Sequence, residues 1–319
     1  MRQQLRLEAF TLCIIFLLAC SSKPKDISSM PNKPSVDPSK LQTHVIKLSQ
    51  ELGPRDYKHP ENLDRVAAYI KQELIAAKGE VSEQPFTARG NTYKNILATF
   101  GPKTEERVVV GAHYDSCGPM SGADDNASGI AGLLELAKLL GKAPPNVMVE
   151  LVAYTLEEPP FFRTQKMGSA IHAQSLKAAN VKVRAMLSIE MIGYFSDEPN
   201  SQSFPTFLLK PFYPSKGNFI AVIGRLGQGK LIKTIKDAMT TASPLPVESL
   251  VGPRFIEGLD FSDHLNYWEE GYPAAMITDT AFLRNPNYHT EKDTTDTLDY
   301  QKMSLVVLGI YAAVIELAK

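Results

Sequence analysis

Cysteine is scarce in this chain, with three in 319 residues. That is too few for a disulfide framework to replace a hydrophobic core. An excess of charge of one sign is missing as well: 34 Lys and Arg stand against 35 Asp and Glu, for a net charge of -1. A near-neutral balance offers no basic footprint for a phosphate backbone and excludes nucleic acid as the expected partner. No internal period supports a repeat scaffold. What the chain does have is 44% hydrophobic residues, ample for a core, and six histidines, enough for one metal site. Disordered and collagen-like classes are therefore excluded.

The amino terminus is a separate object. Arg2 and Arg6 precede the apolar run Ala9 to Ala19, eleven residues long. The run is too short to cross a bilayer as a helix, which needs about 20 residues, and has the length of a secretory signal core. The end of the run, Leu17-Leu18-Ala19-Cys20 followed by Ser21, resembles a bacterial lipoprotein processing site. The resemblance implies a signal peptide over residues 1–19 and lipidation of Cys20. It further implies a lipid-anchored protein of the bacterial cell envelope, with Ser21 favouring the outer membrane and a domain facing the periplasm. Residues 20–40, rich in Ser, Pro and Lys, lack the apolar surface to fold and are expected to form a disordered tether.

Organised sequence is expected from residue 41 to 319 as one domain. Asn62 to Ala77 has apolar residues at helical spacing, as do Ala127 to Lys142, Gly168 to Ala179, Gly229 to Thr241 and Gln301 to Leu317. Between them, 95–100, 108–112, 147–155, 183–190, 219–223 and 274–278 read as strands. The alternation predicts an α/β sheet with helices on both faces. Three stretches, 196–216, 248–263 and 280–299, read as long loops that roof a site.

Acids and histidines collect at the predicted strand ends. The strand at 108–112 runs into His113-Tyr114-Asp115, whose alternate side chains point to one side of an extended chain. Ala123-Asp124-Asp125-Asn126 precedes a helix, Glu157-Glu158 follows the next strand, and Glu190 ends another. His289 sits in a polar loop. So many acids at one sheet edge repel one another unless a cation lies between them, and ligands of α/β sheets gather at the carboxyl ends of strands. Two His with several Asp and Glu, and no thiolate in the set, suit Zn²⁺, Co²⁺ or Mn²⁺. Adjacent side chains diverge, so Glu157 and Glu158 divide between metal ligand and general base.

The ordered motifs GAHYDS, SGADDNASG, EEPP, SIEMIGY, SDH, TDTAFLRNPNYH and DTLDY together resemble the M28 family of co-catalytic zinc aminopeptidases. The match spans nearly all of residues 41–319. It implies a three-layer α/β/α domain with a central, mostly parallel mixed sheet of the co-catalytic zinc exopeptidase type. It also implies two Zn²⁺ ions, with Asp124 bridging them and a peptide bond from Asp124 to Asp125 that is often cis. One ion would be held by Asp124, Glu158 and His289, the other by His113, Asp124 and Glu190. Asp115 would support His113, and Glu157 would be the general base toward a water bridging the ions. The expected substrates are peptides with a free amino terminus. Family members carry Asp where this chain has Glu190, a departure that bears on metal preference.

Glutaminyl cyclases, which convert N-terminal Gln to pyroglutamate, share this fold, and a non-catalytic peptide-binding lipoprotein is a further alternative. The intact ADDNASG stretch and the filled base and ligand positions favour the peptidase. Asp263-His264 suggests site support. Tyr288 could line the site, hold an oxyanion or pack. Trp268, Phe161, Phe162 and Tyr194 are candidates for an apolar substrate pocket or for the core. Cys117 has no base placed for nucleophilic work, and Gly224 to Lys230 lacks phosphate-loop spacing and reads as a turn. His44, His59 and His172 fall outside the motifs and are expected in solvated or capping roles.

Overall fold

The computed structural model describes residues 34–319. The expected signal, Cys20 and most of the tether lie outside the described residues. The first helix begins earlier than expected. Pro38 is placed at its start, where its missing N–H is not needed, and Asp37 accepts a hydrogen bond from the Ser39 N–H at 2.9 Å. Residues 38–40, read as the end of the tether, are thus already helical.

The helices are α1 (Pro38–Ile46), α2 (Pro60–Ala76), α3 (Gly129–Lys142), α4 (Gly168–Ala178), α5 (Gly229–Ala242), α6 (His264–Glu269) and α7 (Tyr300–Leu317). The strands are β1 (Glu80–Ala88), β2 (Asn91–Phe100), β3 (Glu106–His113), β4 (Met148–Tyr154), β5 (Lys182–Glu190), β6 (Ile220–Arg225), β7 (Val247–Gly252) and β8 (Ala274–Thr278). They form one sheet in the order β1-β2-β4-β3-β5-β8-β6-β7. The centre, β4-β3-β5-β8, is parallel, whereas β1-β2, β2-β4 and β8-β6 pair antiparallel.

One apolar cluster joins α1, α2, α3, α5 and α7 to one face of the sheet, through residues such as Leu41, Ile70, Leu133, Ile235 and Ile310. A second cluster covers the other face with α4 and α6, through Ala173, Leu176, Tyr267 and Trp268. The result is a three-layer α/β/α domain, as expected. Each buried Leu or Ile contributes about 1.5–3 kcal/mol by leaving water. The helix α7 is apolar and long enough to cross a membrane by length and composition. Here its Met303, Val306, Val307, Ile310 and Val314 are buried in the core.

Beyond the expected elements lies one further strand, and two expectations change. Residues 80–88 form a strand with no apolar alternation of its own, because β1 is an edge strand held by its hairpin with β2. Residues 247–252, inside the expected 248–263 loop, form β7 beside β6. His44 and His172 are buried rather than solvated. His44 Nδ1 lies 2.5 Å from the Tyr69 hydroxyl and its Nε2 3.2 Å from Glu135, and His172 Nδ1 lies 2.5 Å from the Tyr267 hydroxyl. The segment before α5 is a turn, as read, with Gly227 at φ +89°.

The sheet order carries the functional consequence. In the parallel centre, His113 pairs in register with Tyr154, Gly111 with Ser188, and Glu190 with Thr278. The carboxyl ends of β3, β4, β5 and β8 therefore finish side by side, where ligands of α/β sheets collect.

Candidate metal centre

His113 closes β3 and is 1% exposed. The loop beyond it is pinned by Arg55, a fully buried guanidinium that donates to the carbonyls of Leu48, Tyr114, Ser121 and Gly122 at 2.8–3.1 Å. Burial pulls its pKa down to about 10, a shift that nearby Asp293 and Asp115 oppose. Gly122 is needed at the head of the next segment. Its φ is +57°, and a Cβ there would meet the Asp125 carbonyl oxygen at 2.3 Å.

Residues 123–128 then coil tightly before α3, and the peptide bond from Asp125 to Asn126 is cis. Asp293 reaches in from the loop before α7 and accepts from the N–H groups of Asp124 at 2.9 Å and Asp125 at 3.1 Å. The Asn126 amide donates to the Ile189 carbonyl, and its oxygen accepts from the N–H of Gly129 and Met191. This segment is thereby tied to the ends of β5 and to α3 at once.

The two aspartates part company here. Asp125 directs one carboxylate oxygen to each histidine: Oδ1 lies 3.4 Å from His113 Nε2, and Oδ2 lies 3.1 Å from His289 Nε2. Asp124 turns away, accepting from the Gly193 N–H at 2.9 Å and the Asn285 amide at 2.8 Å. The expectation that Asp124 bridges two ions, with the cis bond following it, is corrected by one residue. Adjacent side chains diverge, so only one of the two carboxylates can face both histidines, and here it is the second.

The remaining acids arrive from the neighbouring strand ends. Leu156, just past β4, has φ +60°, a region that costs a non-glycine residue about 1–3 kcal/mol. It turns the chain so that Glu157 and Glu158 face the site. Asp115 holds that turn by accepting from the N–H groups of both glutamates at 3.1 Å. It also lies 3.6 Å from His113 Nδ1, while the nearer partner of that nitrogen is the Asp115 carbonyl at 3.2 Å. Asp115 therefore positions the two glutamates as much as the imidazole.

Glu190 Oε2 lies 3.4 Å from His113 Nε2 and accepts from the Ser262 hydroxyl at 2.7 Å. Glu158 Oε2 lies 3.4 Å from His289 Nε2. Glu157 Oε2 is farther off, 4.0 Å from His113 Nε2. Two groups of converging ligand atoms result: His113, Asp125 and Glu190, and Cys117, Glu158 and His289. Of the expected ligands, the structure brings together His113, Glu158, Glu190 and His289 and leaves Asp124 out.

The fit to metal ions rests on two observations. His113 Nε2 and Glu158 Oε1 are buried without a hydrogen-bond partner among the described residues, where buried polar atoms normally have one. The spacing of 3.1–3.4 Å between histidine nitrogens and carboxylate oxygens is the second. Ligand atoms at 2.0–2.1 Å from a tetrahedral ion lie about 3.3 Å apart, and charge-assisted hydrogen bonds are shorter, at about 2.7–2.9 Å. The residues fit two divalent cations sharing Asp125.

The electrostatics agree. Burial pushes the pKa of Glu157 well up, with Glu158 and Glu190 adding to the rise against His113. Burial and Asp125 take Glu158 to about 7, with the histidines opposing. Glu190 is raised by burial too. Burial disfavours charge on His113, but Glu190 and Glu157 outweigh it and hold the imidazole well above its ordinary value. Such a site retains protons where cations would otherwise balance the acids.

Asp263-His264 does not join the ligand groups. His264 donates through Nε2 to the Leu259 carbonyl at 2.9 Å and meets the Trp268 ring edge-on at 4.5 Å, and burial lowers its pKa to about 4. It is a neutral packing group. Asp263 is fully buried, and neither of its oxygens has a hydrogen-bond partner among the described residues. Trp268 packs in the core with its N–H on the Ala274 carbonyl, and Phe161 sits edge-on to Tyr57. The apolar cavity beside Glu190 is instead lined by Phe204, Phe219, Phe261, Phe282, Met276 and Tyr288. Tyr288 stacks on His289 with ring centroids 3.8 Å apart. The segment 196–216 does roof this cavity, as its Gln202, Phe204 and Tyr213 show.

Comparison with known proteins gives the family and the fold. The model of peptidase family M28 matches residues 95–314. The uncharacterized protein YfbL of Escherichia coli K12 is 44% identical over 312 residues, covering 95% of this chain and 96% of that one. Among solved structures, the zinc aminopeptidase BSAP of Bacillus subtilis superposes with a TM-score of 0.71 at 16% identity, covering 89% of this chain and 95% of that one. A glutaminyl cyclase of Bacteroides thetaiotaomicron gives 0.67 at 18% identity, covering 89% and 99%. These two likenesses concern the fold. The family match and the two ligand clusters on that fold establish that the chain belongs to peptidase family M28 and is a metallopeptidase.

Proposed function

We propose that this protein is a two-zinc aminopeptidase that removes residues from the free amino termini of peptides. The observation that carries the reading is the Asp125 carboxylate, which offers one oxygen toward His113 and the other toward His289. One ion would be held by His113, Asp125 and Glu190, the other by Asp125, Glu158 and His289. When bound, the pair would polarise the scissile carbonyl and lower the pKa of a water lying between the ions.

The side chains of this chain do the rest. Glu157 faces the site without being in either ligand group, and burial makes its carboxylate unusually basic. It would accept a proton from the attacking water and deliver it to the leaving nitrogen as the C–N bond breaks. Asp115 keeps Glu157 and Glu158 in place through two backbone N–H groups. Ser262 orients Glu190, as a hydrogen-bonded carboxylate keeps its ligating oxygen aimed.

The aromatic cavity beside Glu190 gives a preference for large apolar first residues, because most of its wall is aromatic or aliphatic, with Glu248 and Glu257 its acids besides Glu190. A panel of aminoacyl amides is expected to rank Leu, Met and Phe above Ala, Asp and Lys in kcat/KM. N-blocked peptides should resist cleavage, and activity should vanish with chelator. Formation of pyroglutamyl peptides from N-terminal Gln peptides with release of ammonia, and no amino acid released from any peptide, would replace this reading by the cyclase.

The envelope location belongs to the same proposal. It is supported by the Leu17-Leu18-Ala19-Cys20 pattern. The protein is expected in the detergent-soluble membrane fraction, with Cys20→Ser moving it to the soluble fraction. An unmodified Cys20 in the mass spectrum of the cellular protein would refute the anchor.

A further inference from the structure

Resting on the two-ion reading above, we propose that Cys117 is a thiolate ligand of the ion held by Asp125, Glu158 and His289. Cys117 lies two residues beyond Asp115, on the loop that leaves β3, and is a free thiol. Its sulfur, a carboxylate oxygen of Glu158 and an imidazole nitrogen of His289 all lie within 4.8 Å of one another. A second observation concerns the same carboxylate. Glu158 is 4% exposed, and its Oε1 has no hydrogen-bond partner among the described residues.

The two ions would then have unlike surroundings. His113, Asp125 and Glu190 supply only nitrogen and oxygen, three protein ligands in all, leaving a position for substrate. On the other side sulfur joins Asp125, Glu158 and His289, giving that ion four protein ligands against three, with five-coordination open to zinc when the water binds. On binding, the S–H bond breaks, the proton passes to solvent and the sulfur lone pair enters the coordination bond. A thiolate favours Zn²⁺ and Co²⁺ over Mn²⁺ and Mg²⁺, so this ion should be the more tightly and selectively held of the two.

The test is cobalt substitution of the full chain, followed by metal analysis and near-ultraviolet absorption, in which a thiolate bound to Co²⁺ gives an intense charge-transfer band. Expected are two Co²⁺ per chain with that band, equally in the Cys13→Ser/Cys20→Ser variant, and loss of the band in Cys117→Ser. Zinc competition should show one of the two sites at least about tenfold weaker in Cys117→Ser. Cys117 is partly exposed and Ser is smaller, so far-ultraviolet circular dichroism should be unchanged. Two cobalt ions without the band, or a band that survives Cys117→Ser, would overturn the ligand assignment and leave the two-ion reading intact. Fewer than two ions in the parent chain would overturn both.

Discussion

Glu157→Gln is expected to lower kcat by about 10²- to 10⁴-fold while keeping the metal content of the parent protein, two ions per chain on the reading proposed above. The magnitude is that of removing a general base. The retention of metal follows from the geometry, because Glu157 belongs to neither converging ligand group and lies 4.0 Å from the nearest imidazole nitrogen. Gln keeps the length and hydrogen-bonding capacity of the side chain, and the Glu157 backbone N–H still donates to Asp115. Kinetics paired with metal analysis of the same preparation decides the matter. A variant that loses an ion would make Glu157 a ligand, and one with full activity would move the base elsewhere.

The second large effect separates two neighbours. Asp125→Asn is expected to bind one ion or none and to lose at least about a hundredfold in activity, because a neutral amide cannot bridge two cations. Asp124→Asn is expected to keep both ions. It should lose about 1–3 kcal/mol of stability in urea denaturation, since an amide there turns a donor toward the Asn285 amide or leaves the Gly193 N–H unpaired. Burial and the nearby Asp279 already push Asp124 toward its neutral form, which a neutral Asn resembles. Metal loss in Asp124→Asn with retention in Asp125→Asn would reverse the assignment.

This pair of aspartates also marks how far the linear pattern reached. His113, Glu158, Glu190 and His289 were legible because each ends a strand or a motif whose spacing survives folding. The choice between Asp124 and Asp125 was not legible, because both precede the same helix and both are buried. Cys117 was passed over because its partners are 41 and 172 residues away, and a lone thiol without a base carries no local signal. Arg55, Asp293 and Ser262 were missed for a similar reason. Their work is to satisfy backbone N–H and carbonyl groups or one carboxylate of distant loops, and no periodicity announces such a role.

By itself, the sequence determined the alternation of apolar strands and helices, hence the α/β layers, and the placing of acids and histidines at strand ends. Both are local properties: side-chain period and the residue following each apolar run. Only the tertiary structure decided which carboxylate faces both histidines, which aromatics line the cavity and which thiol joins the cluster. Those choices depend on side-chain direction within the 123–128 coil and on strand order. Charge crowding required a cation, and the sheet edge determined which atoms would share it.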